Sequence, residues 1–319
     1  MKMADNDVLI IAHRGASGYL PEHTLEAKVL AYGMGADYLE QDVIATRDDQ
    51  LVVLHDIYLD RVTNVAEKYP HRKRDDGRYY VRDFDLRELK ALRVWERRGD
   101  DGISPVFPKR FPTGQGGAFR IPTMREEIKL VQGLNKSTGR SVGIYVEIKR
   151  PAWHQAEGVD VSPLLLQLLD DSGYRTRDDL AYVQCFDARE VRRIRHDLGC
   201  ELKIVQLLGE NDWGESDTDY DQLKTPAGLR DVAATADGVG PWIGHLVKTA
   251  EIDGRPVSTG FVSAAHDAGL TVHPYTFRAD QLAPGFDSLQ EMIQWFVDEL
   301  AIDGLFTDFP DLARMALRS

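Results

Sequence analysis

Short apolar runs alternate with amphipathic stretches along most of the chain. Residues 8–12, 36–44 and 51–54 have the composition of β-strands, and residues 21–34 carry apolar side chains at near-helical spacing. The polar side chains at or near the ends of the three β-type runs are His13, Arg14, Glu40, Asp42, His55 and Asp56. Ligands and catalytic groups collect at the carboxyl ends of strands in parallel α/β proteins. We therefore expect these side chains to share one site.

The same alternation returns in the second half of the chain. Helices are predicted over residues 121–138, 163–172, 188–198, 226–236, 259–268 and 289–299, and strands over residues 143–148, 180–185, 202–207, 237–240, 270–275 and 304–306. Strands that alternate with helices predict a parallel sheet covered by helices. About eight strands favour a closed (β/α)8 TIM barrel over an open doubly wound sheet. The turn after the first strand, His-Arg-Gly-Ala-Ser-Gly, also lacks the glycine pattern of dinucleotide-binding sheets.

Residues 57–120 interrupt this alternation. The stretch is rich in Arg, Asp and Gly and contains a glycine-rich run at residues 114–117. A plain loop of this length is uncommon in a compact domain. We predict one domain, residues 1–319, that carries a small insertion subdomain at residues 57–120.

Composition narrows the class of protein. The formal net charge is −13, which argues against a nucleic-acid partner because phosphate neutralisation needs an excess of Lys and Arg. No apolar run is long enough for a transmembrane segment. Two cysteines, Cys185 and Cys200, are too few for a disulfide framework, and we expect two free buried thiols. The short polar start, residues 1–7, has no signal peptide, so the sequence as written predicts a cytoplasmic protein, or a periplasmic one if a signal was removed.

Three acidic residues at predicted strand ends suggest a metal site. Glu40 and Asp42 are two positions apart on one strand, so both side chains leave the same face. Glu147 has the same placement on a later strand and shares its face with Lys149. Carboxylates without a nearby cysteine are typical of hard, oxygen-ligand sites for Ca²⁺ or Mg²⁺. Salt bridges from these acids to Arg14 and Lys149 are the alternative interpretation.

Two histidines close apolar runs beside the same acids. A single histidine at a strand end more often packs or caps than catalyses, but His13 and His55 form a pair around the predicted metal site. Such a pair can divide general acid and general base roles. Arg14 and Lys149 are suited to hold a phosphate. The residues together predict metal-assisted phosphoryl transfer or phosphodiester cleavage.

Several other polar or aromatic residues carry weaker signals. Gln184, Tyr275 and Phe277 lie at predicted strand ends, where they either line the pocket or pack in the core. His23 is expected to cap a helix, and Asp308 either to start the last turn or to cap the final helix. The remaining histidines expected to be solvated or in loops are His71, His154, His196, His245 and His266.

At these residues the chain resembles the glycerophosphodiester phosphodiesterase family, and most closely its larger bacterial periplasmic-type members. The resemblance rests on seven motifs that follow one another in order, at residues 13–27, 38–42, 51–56, 145–149, 183–187, 272–276 and 305–310. Many members have Asn where this chain has His23, although the bacterial subgroup also has histidine. The periplasmic members begin with a signal peptide, which is not seen here and leaves the compartment open.

The resemblance implies a TIM barrel with a small insertion and a divalent cation, Ca²⁺ before Mg²⁺. It also implies hydrolysis of glycerophosphodiesters, the deacylated phospholipids, to sn-glycerol 3-phosphate and an alcohol. By motif position Glu40, Asp42 and Glu147 would bind the metal, His13 and His55 would be the acid/base pair, and Arg14 and Lys149 would contact phosphate.

Two rival functions stay open on the sequence. One is a phospholipase D-like barrel that acts on intact lipids, which should have an apolar rim, whereas residues 209–224 are acidic. The other is a non-catalytic barrel that only binds glycerophosphodiesters. A small-molecule substrate is the expected partner, and the sequence leaves a homo-oligomer, the head-group preference and the nucleophile open.

Overall fold

The computed structural model describes residues 8–99, 101–112, 119–249 and 254–318. The strands are β1 Leu9–Ala12, β2 Tyr38–Ala45, β3 Leu51–Val53, β4 Gly143–Ile148, β5 Ala181–Cys185, β6 Lys203–Leu208, β7 Gly238–Pro241, β8 Val247–Thr249, β9 Pro256–Ser258, β10 Thr271–Val272 and β11 Gly304–Thr307. The helices are α1 Leu25–Gly33, α2 Val65–Lys68, α3 Leu86–Lys90, α4 Met124–Thr138, α5 Pro151–Ala156, α6 Val161–Asp171, α7 Ala188–His196, α8 Tyr220–Leu223, α9 Pro226–Ala233, α10 Phe261–Asp267, α11 Leu289–Asp298 and α12 Pro310–Ala316. Short 3-10 turns span Val81–Asp83, Asn211–Trp213 and Ile243–His245. The expectations for residues 1–7 and 114–117 lie outside the described residues.

Eight parallel strands form the barrel. Their order is β10-β7-β6-β5-β4-β2-β1-β11, and each hydrogen-bonded pair of neighbours on this path is parallel. Backbone hydrogen bonds bring the two ends of the path together, because Asp303 N–H donates to the Val272 carbonyl at 3.1 Å and Phe306 N–H to the Pro274 carbonyl at 3.0 Å. The TIM-barrel prediction is confirmed.

One strand was predicted correctly in place but not in direction. β3 pairs antiparallel with β2, with Val43 opposite Val53 and Ala45 opposite Leu51, so it is not a strand of the parallel barrel. β2 continues beyond the rim, and the chain turns back along it. The return carries Leu54 to the backbone of Asp42, whose carbonyl accepts from Leu54 N–H at 2.9 Å. His55 therefore reaches the barrel mouth from outside the barrel wall.

The first helix begins later than its apolar pattern suggested. Thr24 caps α1, its hydroxyl accepting from Ala27 N–H at 3.2 Å, so Pro21 lies before the helix. The buried face is also different from the predicted one. Val29 is 44% exposed, whereas Lys28 is fully buried against the barrel.

Inward-facing side chains form layers along the barrel axis. Tyr38, Tyr145 and Tyr182 fill a lower layer, in which the rings of Tyr145 and Tyr182 stack with centroids 4.5 Å apart. Because side chains alternate along a strand, positions two residues further on face the same interior nearer the carboxyl ends. Those positions are Glu40, Glu147 and Gln184. An aromatic floor thus lies directly beneath the polar residues.

Residues 57–120 have apolar packing of their own. Buried side chains such as Leu59, Phe84 and Leu92 form a cluster that also takes in Ile44 and Val52 from the β2–β3 hairpin. Only short helical pieces, α2 and α3, occur in the described part of this segment. It packs over the carboxyl-end side of the barrel, where the hairpin projects.

Two smaller expectations concern the cysteines and the membrane. Cys185 and Cys200 are both buried and unpaired, as predicted. Among the described residues, no helix has the length and apolar character needed to cross a membrane.

Candidate active site

A cavity of about 500 Å³ opens at the carboxyl ends of the barrel strands. The predicted site residues that line it are His13, Arg14, Glu40, His55, Glu147, Lys149, Gln184 and Tyr275. Asp42 lies just beneath its surface and is almost fully buried. Side chains from β1, β2, β4, β5 and the β2–β3 hairpin therefore converge as the strand-end pattern predicted.

Phe277 is the exception, because the structure supports core packing for it and not the alternative of pocket lining. Its side chain is fully buried and packs on Phe296, with ring centroids 5.0 Å apart. Phe277 N–H donates to the Phe306 carbonyl at 2.8 Å, which places the residue beside β11 where the barrel closes. The ring points into the layer between the sheet and α11 and not into the cavity.

The three predicted metal-binding carboxylates crowd together and are all buried. Burial and the charge of Asp42 raise the pKa of Glu40 well above its usual value. Burial and the same charge raise the pKa of Glu147 to about 8. One oxygen of Asp42, Oδ1, is buried and has no hydrogen-bond partner. A buried oxygen without a hydrogen-bond partner, beside two carboxyl groups whose pKa values are raised, is suited to bind a hard divalent cation.

His23 lies behind this carboxylate cluster and does not cap α1 as expected. Its Nε2 is 2.6 Å from Asp42 Oδ2, and its Nδ1 is 3.3 Å from the ammonium of Lys28. An ammonium only donates, so Nδ1 accepts and Nε2–H donates to the carboxylate. His23 lies within 4.8 Å of Glu40 and Asp42 in a grouping that resembles a metal site. In this arrangement, however, it has no free lone pair and orients Asp42 instead.

Lys28 is the buried end of the same network. Its Nζ donates to the Glu40 carbonyl and lies 3.3 Å from Glu127 Oε2 on α4. All of these groups lie inside the protein, between α1, β2 and α4. Sequence reasoning missed Lys28 because a lysine within an amphipathic helix usually points to solvent.

Each of the two strand-end histidines is held by a carboxylate. His13 Nδ1 is 2.6 Å from Asp308 Oδ1, and His55 Nδ1 is 2.5 Å from Asp56 Oδ1. A carboxylate accepts the Nδ1 proton, which leaves Nε2 of each ring as a proton acceptor. Burial and the charge of Arg14 lower the pKa of His13 to about 4 and that of His55 to about 3. Both rings are neutral near pH 7 and able to take a proton.

Arginines from residues 57–120 hold these two carboxylates in turn. Arg97 Nη1 is 2.6 Å from Asp56 Oδ2, and Arg110 Nη2 is 2.7 Å from Asp308 Oδ2. Both histidine–carboxylate pairs are therefore anchored by arginines of residues 57–120. Asp308 was expected only to start the last turn or to cap the final helix. Neither arginine was predicted from the sequence, because Arg97 is 41 residues from Asp56 and Arg110 is 198 residues from Asp308.

The predicted phosphate ligands face the cavity between the acids and the histidines. Arg14 donates its backbone N–H to Glu40 at 2.6 Å and Nη1 to Glu22 at 3.0 Å, while its buried Nε has no hydrogen-bond partner. Lys149 Nζ lies 2.8 Å from Glu147 and 3.4 Å from His55 Nε2. Two cations and two neutral imidazoles thus border the same space.

Two of the histidines expected to be solvated or in loops have buried side chains instead. His154 is fully buried, and its Nε2 accepts from Ala45 N–H at 3.2 Å while Nδ1–H donates to the Arg150 carbonyl at 3.1 Å. His245 has a largely buried side chain whose Nε2 is 3.1 Å from Glu210. His71, His196 and His266 are exposed, as expected.

Comparisons with known proteins identify the family of proteins to which this site belongs. Residues 13–312 match the model of the glycerophosphoryl diester phosphodiesterase family. The chain belongs to this family. Its relatives include the glycerophosphodiester phosphodiesterase of Haemophilus influenzae, 43% identical over 96% of this chain and 88% of that protein. Another is the enzyme of the same name from Treponema pallidum, 39% identical over 95% of this chain and 90% of that protein.

Solved structures share the fold of this phosphodiesterase family member. A Silicibacter pomeroyi protein superposes with a TM-score of 0.73 at 23% identity, covering 98% of this chain and 93% of that one. An Oleispira antarctica phosphodiesterase, solved in complex with the product sn-glycerol 3-phosphate, superposes with a TM-score of 0.64 at 20% identity, covering 98% and 97%. The family and the named relatives make the chain an enzyme, a glycerophosphodiester phosphodiesterase.

Proposed function

We propose that the enzyme hydrolyses glycerophosphodiesters in a metal-dependent reaction that releases sn-glycerol 3-phosphate and an alcohol. The observation that carries this proposal is the pair of neutral histidines, each oriented by its own carboxylate, that border one cavity with Arg14 and Lys149. The names of the relatives and the product bound to the Oleispira antarctica phosphodiesterase support it.

Glu40, Asp42 and Glu147 would hold the cation, Ca²⁺ in the first place and Mg²⁺ in the second. A cation bound there supplies neutralisation of the phosphate charge. Lys28 and His23 fix the orientation of Asp42 from behind, at the distances given above. Salt bridges remain part of this site, since Glu147 is already paired with Lys149.

Arg14 and Lys149 would bind the non-bridging oxygens of the phosphodiester. One neutral histidine takes a proton from the nucleophilic oxygen as that oxygen attacks phosphorus. The other, once its Nε2 has taken up a proton from solvent, gives that proton to the alcohol oxygen as its bond to phosphorus breaks. A bound phosphodiester is an anion, which favours the protonated form of the imidazole beside the leaving oxygen. The nucleophile is either water or the neighbouring glycerol hydroxyl, and a cyclic glycerophosphate in rapid-quench samples identifies the second.

We further propose that residues 57–120 form an insertion subdomain that orients both histidines. Arg97 and Arg110 reach from it to the two carboxylates that hold the imidazoles. Such a role explains why this segment lies over the carboxyl-end side of the barrel.

The test is release of glycerol 3-phosphate from glycerophosphocholine by EDTA-treated protein, with and without added Ca²⁺ or Mg²⁺. We expect activity to return with metal and to fall by about 10²–10⁴-fold in His13→Ala. His266→Ala, which removes an exposed histidine far from the cavity, is the matched control and should keep full activity. Tight binding of glycerophosphocholine without turnover at any metal concentration would contradict the proposal and support the rival function, a non-catalytic barrel that only binds glycerophosphodiesters.

A further inference from the structure

One side of the cavity is lined by aromatic rings that the proposed chemistry does not use. Phe186 follows β5, Trp213 follows β6, Trp242 follows β7 and Tyr275 follows β10. These four residues are called the aromatic wall below. The four strands are consecutive in the barrel, so their carboxyl-end loops are neighbours and the four rings line the same side of the cavity.

The wall is open to solvent at its outer end. Trp213 and Trp242 are 41% and 40% exposed, and their rings lie 5.6 Å apart at an interplanar angle of 67°. Two large rings that meet at an angle, with free faces, form a corner. Single exposed aromatics need no explanation, but two at the mouth of the reaction cavity indicate a binding surface.

Glycines hold the two tryptophans in this corner. A Cβ atom on Gly244 would lie only 2.3 Å from the ring of Trp242, and a Cβ atom on Gly209 would lie 3.0 Å from the ring of Trp213. The rings therefore rest on bare backbone. A larger residue at position 244 would displace the ring of Trp242.

The wall begins where the predicted phosphate ligands end. Lys149 Nζ lies 5.6 Å from the centre of the Phe186 ring, and Phe186 lies 6.0 Å from Tyr275. A substrate whose phosphate contacts Lys149 would therefore extend its alcohol group along these rings toward Trp213 and Trp242.

Charge and hydrogen-bonding capacity indicate which alcohol fits. Glu215 lines the same cavity and is held only loosely by Arg150, whose Nε is 3.4 Å away. The Tyr275 hydroxyl is used by the Leu208 carbonyl at 2.8 Å and so presents its ring. Aromatic faces beside a carboxylate attract cations, especially those with methyl groups around the charge. The faces of these rings offer no hydrogen-bond acceptor of comparable strength to the hydroxyl groups of a polyol.

We propose that the aromatic wall and Glu215 form the subsite for the alcohol group and select a quaternary ammonium alcohol such as choline. This inference rests on the proposed function, since it concerns the leaving group of that reaction. It assigns a role in specificity, and not in bond cleavage, to Trp213, Trp242 and Glu215.

The experiment compares kcat/KM for three diesters. They are glycerophosphocholine, its neutral isostere in which carbon replaces the choline nitrogen, and glycerophosphoglycerol. For the native protein we expect glycerophosphocholine to exceed the isostere by about tenfold, within the range of cation–aromatic interactions. Trp213→Leu and Trp242→Leu should each reduce that ratio several-fold while glycerophosphoglycerol hydrolysis stays within about twofold. Glu215→Gln should also lower the ratio of kcat/KM for glycerophosphocholine to that for its isostere, because it removes the negative charge and keeps the shape of the side chain.

Trp295→Leu is the matched control, because Trp295 lies on α11 outside the cavity and packs on Phe286, with ring centroids 5.6 Å apart. It should leave all three kcat/KM values unchanged.

Equal kcat/KM for glycerophosphocholine and its isostere would overturn cation selection, and so would equal losses for all three diesters in the two tryptophan variants. A preference for lysophosphatidylcholine over glycerophosphocholine would assign the wall to an acyl chain and overturn it as well. If no diester were hydrolysed at all, the proposed function itself would fail. If all three were hydrolysed with unchanged ratios, only the subsite would fail.

Discussion

The two sides of the cavity are built in different ways. On the charged side, around His13, Glu40, His55 and Glu147, each of the two histidines is held by its own carboxylate and the residues behind are buried. On the aromatic wall, Trp213 and Trp242 are about two-fifths exposed and contact mainly each other, His245 and backbone. Proton transfer depends on groups held in fixed geometry before substrate arrives. Recognition of an apolar or cationic group needs mainly a face of suitable shape.

This contrast predicts that stability depends on the charged side and hardly at all on the wall. The largest effect should come from Lys28→Met, which leaves Glu127 buried without its cation. Removing one partner of a buried ion pair typically costs about 3–5 kcal/mol of unfolding free energy. Urea unfolding measures the loss. Trp242→Leu should cost well under that, since the ring is exposed.

A double variant separates stability from function at this network. Lys28→Met with Glu127→Leu removes both charges and should recover most of the unfolding free energy. It should remain impaired in catalysis, because His23 Nδ1 has lost the donor that fixes its tautomer toward Asp42. Full activity in the double variant would show that the network supports the fold alone.

The next effect concerns a single carboxylate on the charged side. Asp308→Asn removes the acceptor that fixes His13 Nδ1–H, and we expect kcat to fall by about 10²–10³-fold with little change in KM. Asp280→Asn is a matched control, because Asp280 also pairs with Arg110 but does not touch His13. Steady-state kinetics of both variants distinguish orientation of the imidazole from a general loss of the Arg110 network. Equal kcat values in Asp308→Asn and Asp280→Asn would contradict the role of Asp308 in orienting the imidazole of His13.

The difference between the two sides also shows what a sequence can and cannot predict. The convergence of Glu40, Asp42 and Glu147 was predictable, because alternation along a strand is local and the carboxyl ends of parallel strands meet. Asp308 was not predictable as the partner of His13 from local pattern. The two residues are 295 positions apart and meet only because β1 pairs with β11 when the barrel closes.

Local pattern failed wherever a polar residue was buried or a strand changed direction. Lys28 looks like part of a solvated helix face, and only the packing of α1 on β2 and α4 shows that it is buried. The apolar composition of β3 predicted a strand but not its antiparallel pairing, since composition does not encode direction. Trp213 lies in a stretch that reads as an acidic loop, so the aromatic wall was not expected either.

A smaller effect should appear in the pH dependence of stability. Burial lowers the pKa of His154 to about 4, and its Nε2 must stay unprotonated to accept from Ala45 at the end of β2. The unfolded chain, with a histidine pKa near 6.5, takes up this proton first. The contribution of His154 is therefore complete above pH 6.5 and is lost as the pH falls from 6.5 toward 4.

Urea titrations at several pH values measure this contribution. The slope that His154 adds to the unfolding free energy approaches about 1.4 kcal/mol per pH unit. His154→Gln keeps an acceptor for Ala45 N–H but does not titrate, so its stability should fall less steeply between pH 6.5 and 4. Parallel curves for the native protein and this variant would exclude His154 as the source.

The smallest predicted effect comes from a change behind the aromatic wall. The Cβ of Gly244→Ala would lie 2.3 Å from the ring of Trp242, so the ring must move away from its position against the backbone. We expect kcat/KM for glycerophosphocholine to fall several-fold and that for glycerophosphoglycerol to change less than twofold. Gly133→Ala, within α4 and with open space around it, controls for the added methyl group and should change neither. Since Gly244 and Trp242 both lie on the aromatic side of the cavity, equal losses for both substrates would mean that the two sides are coupled. The separation between a rigid charged side and an independent wall would then have to be abandoned.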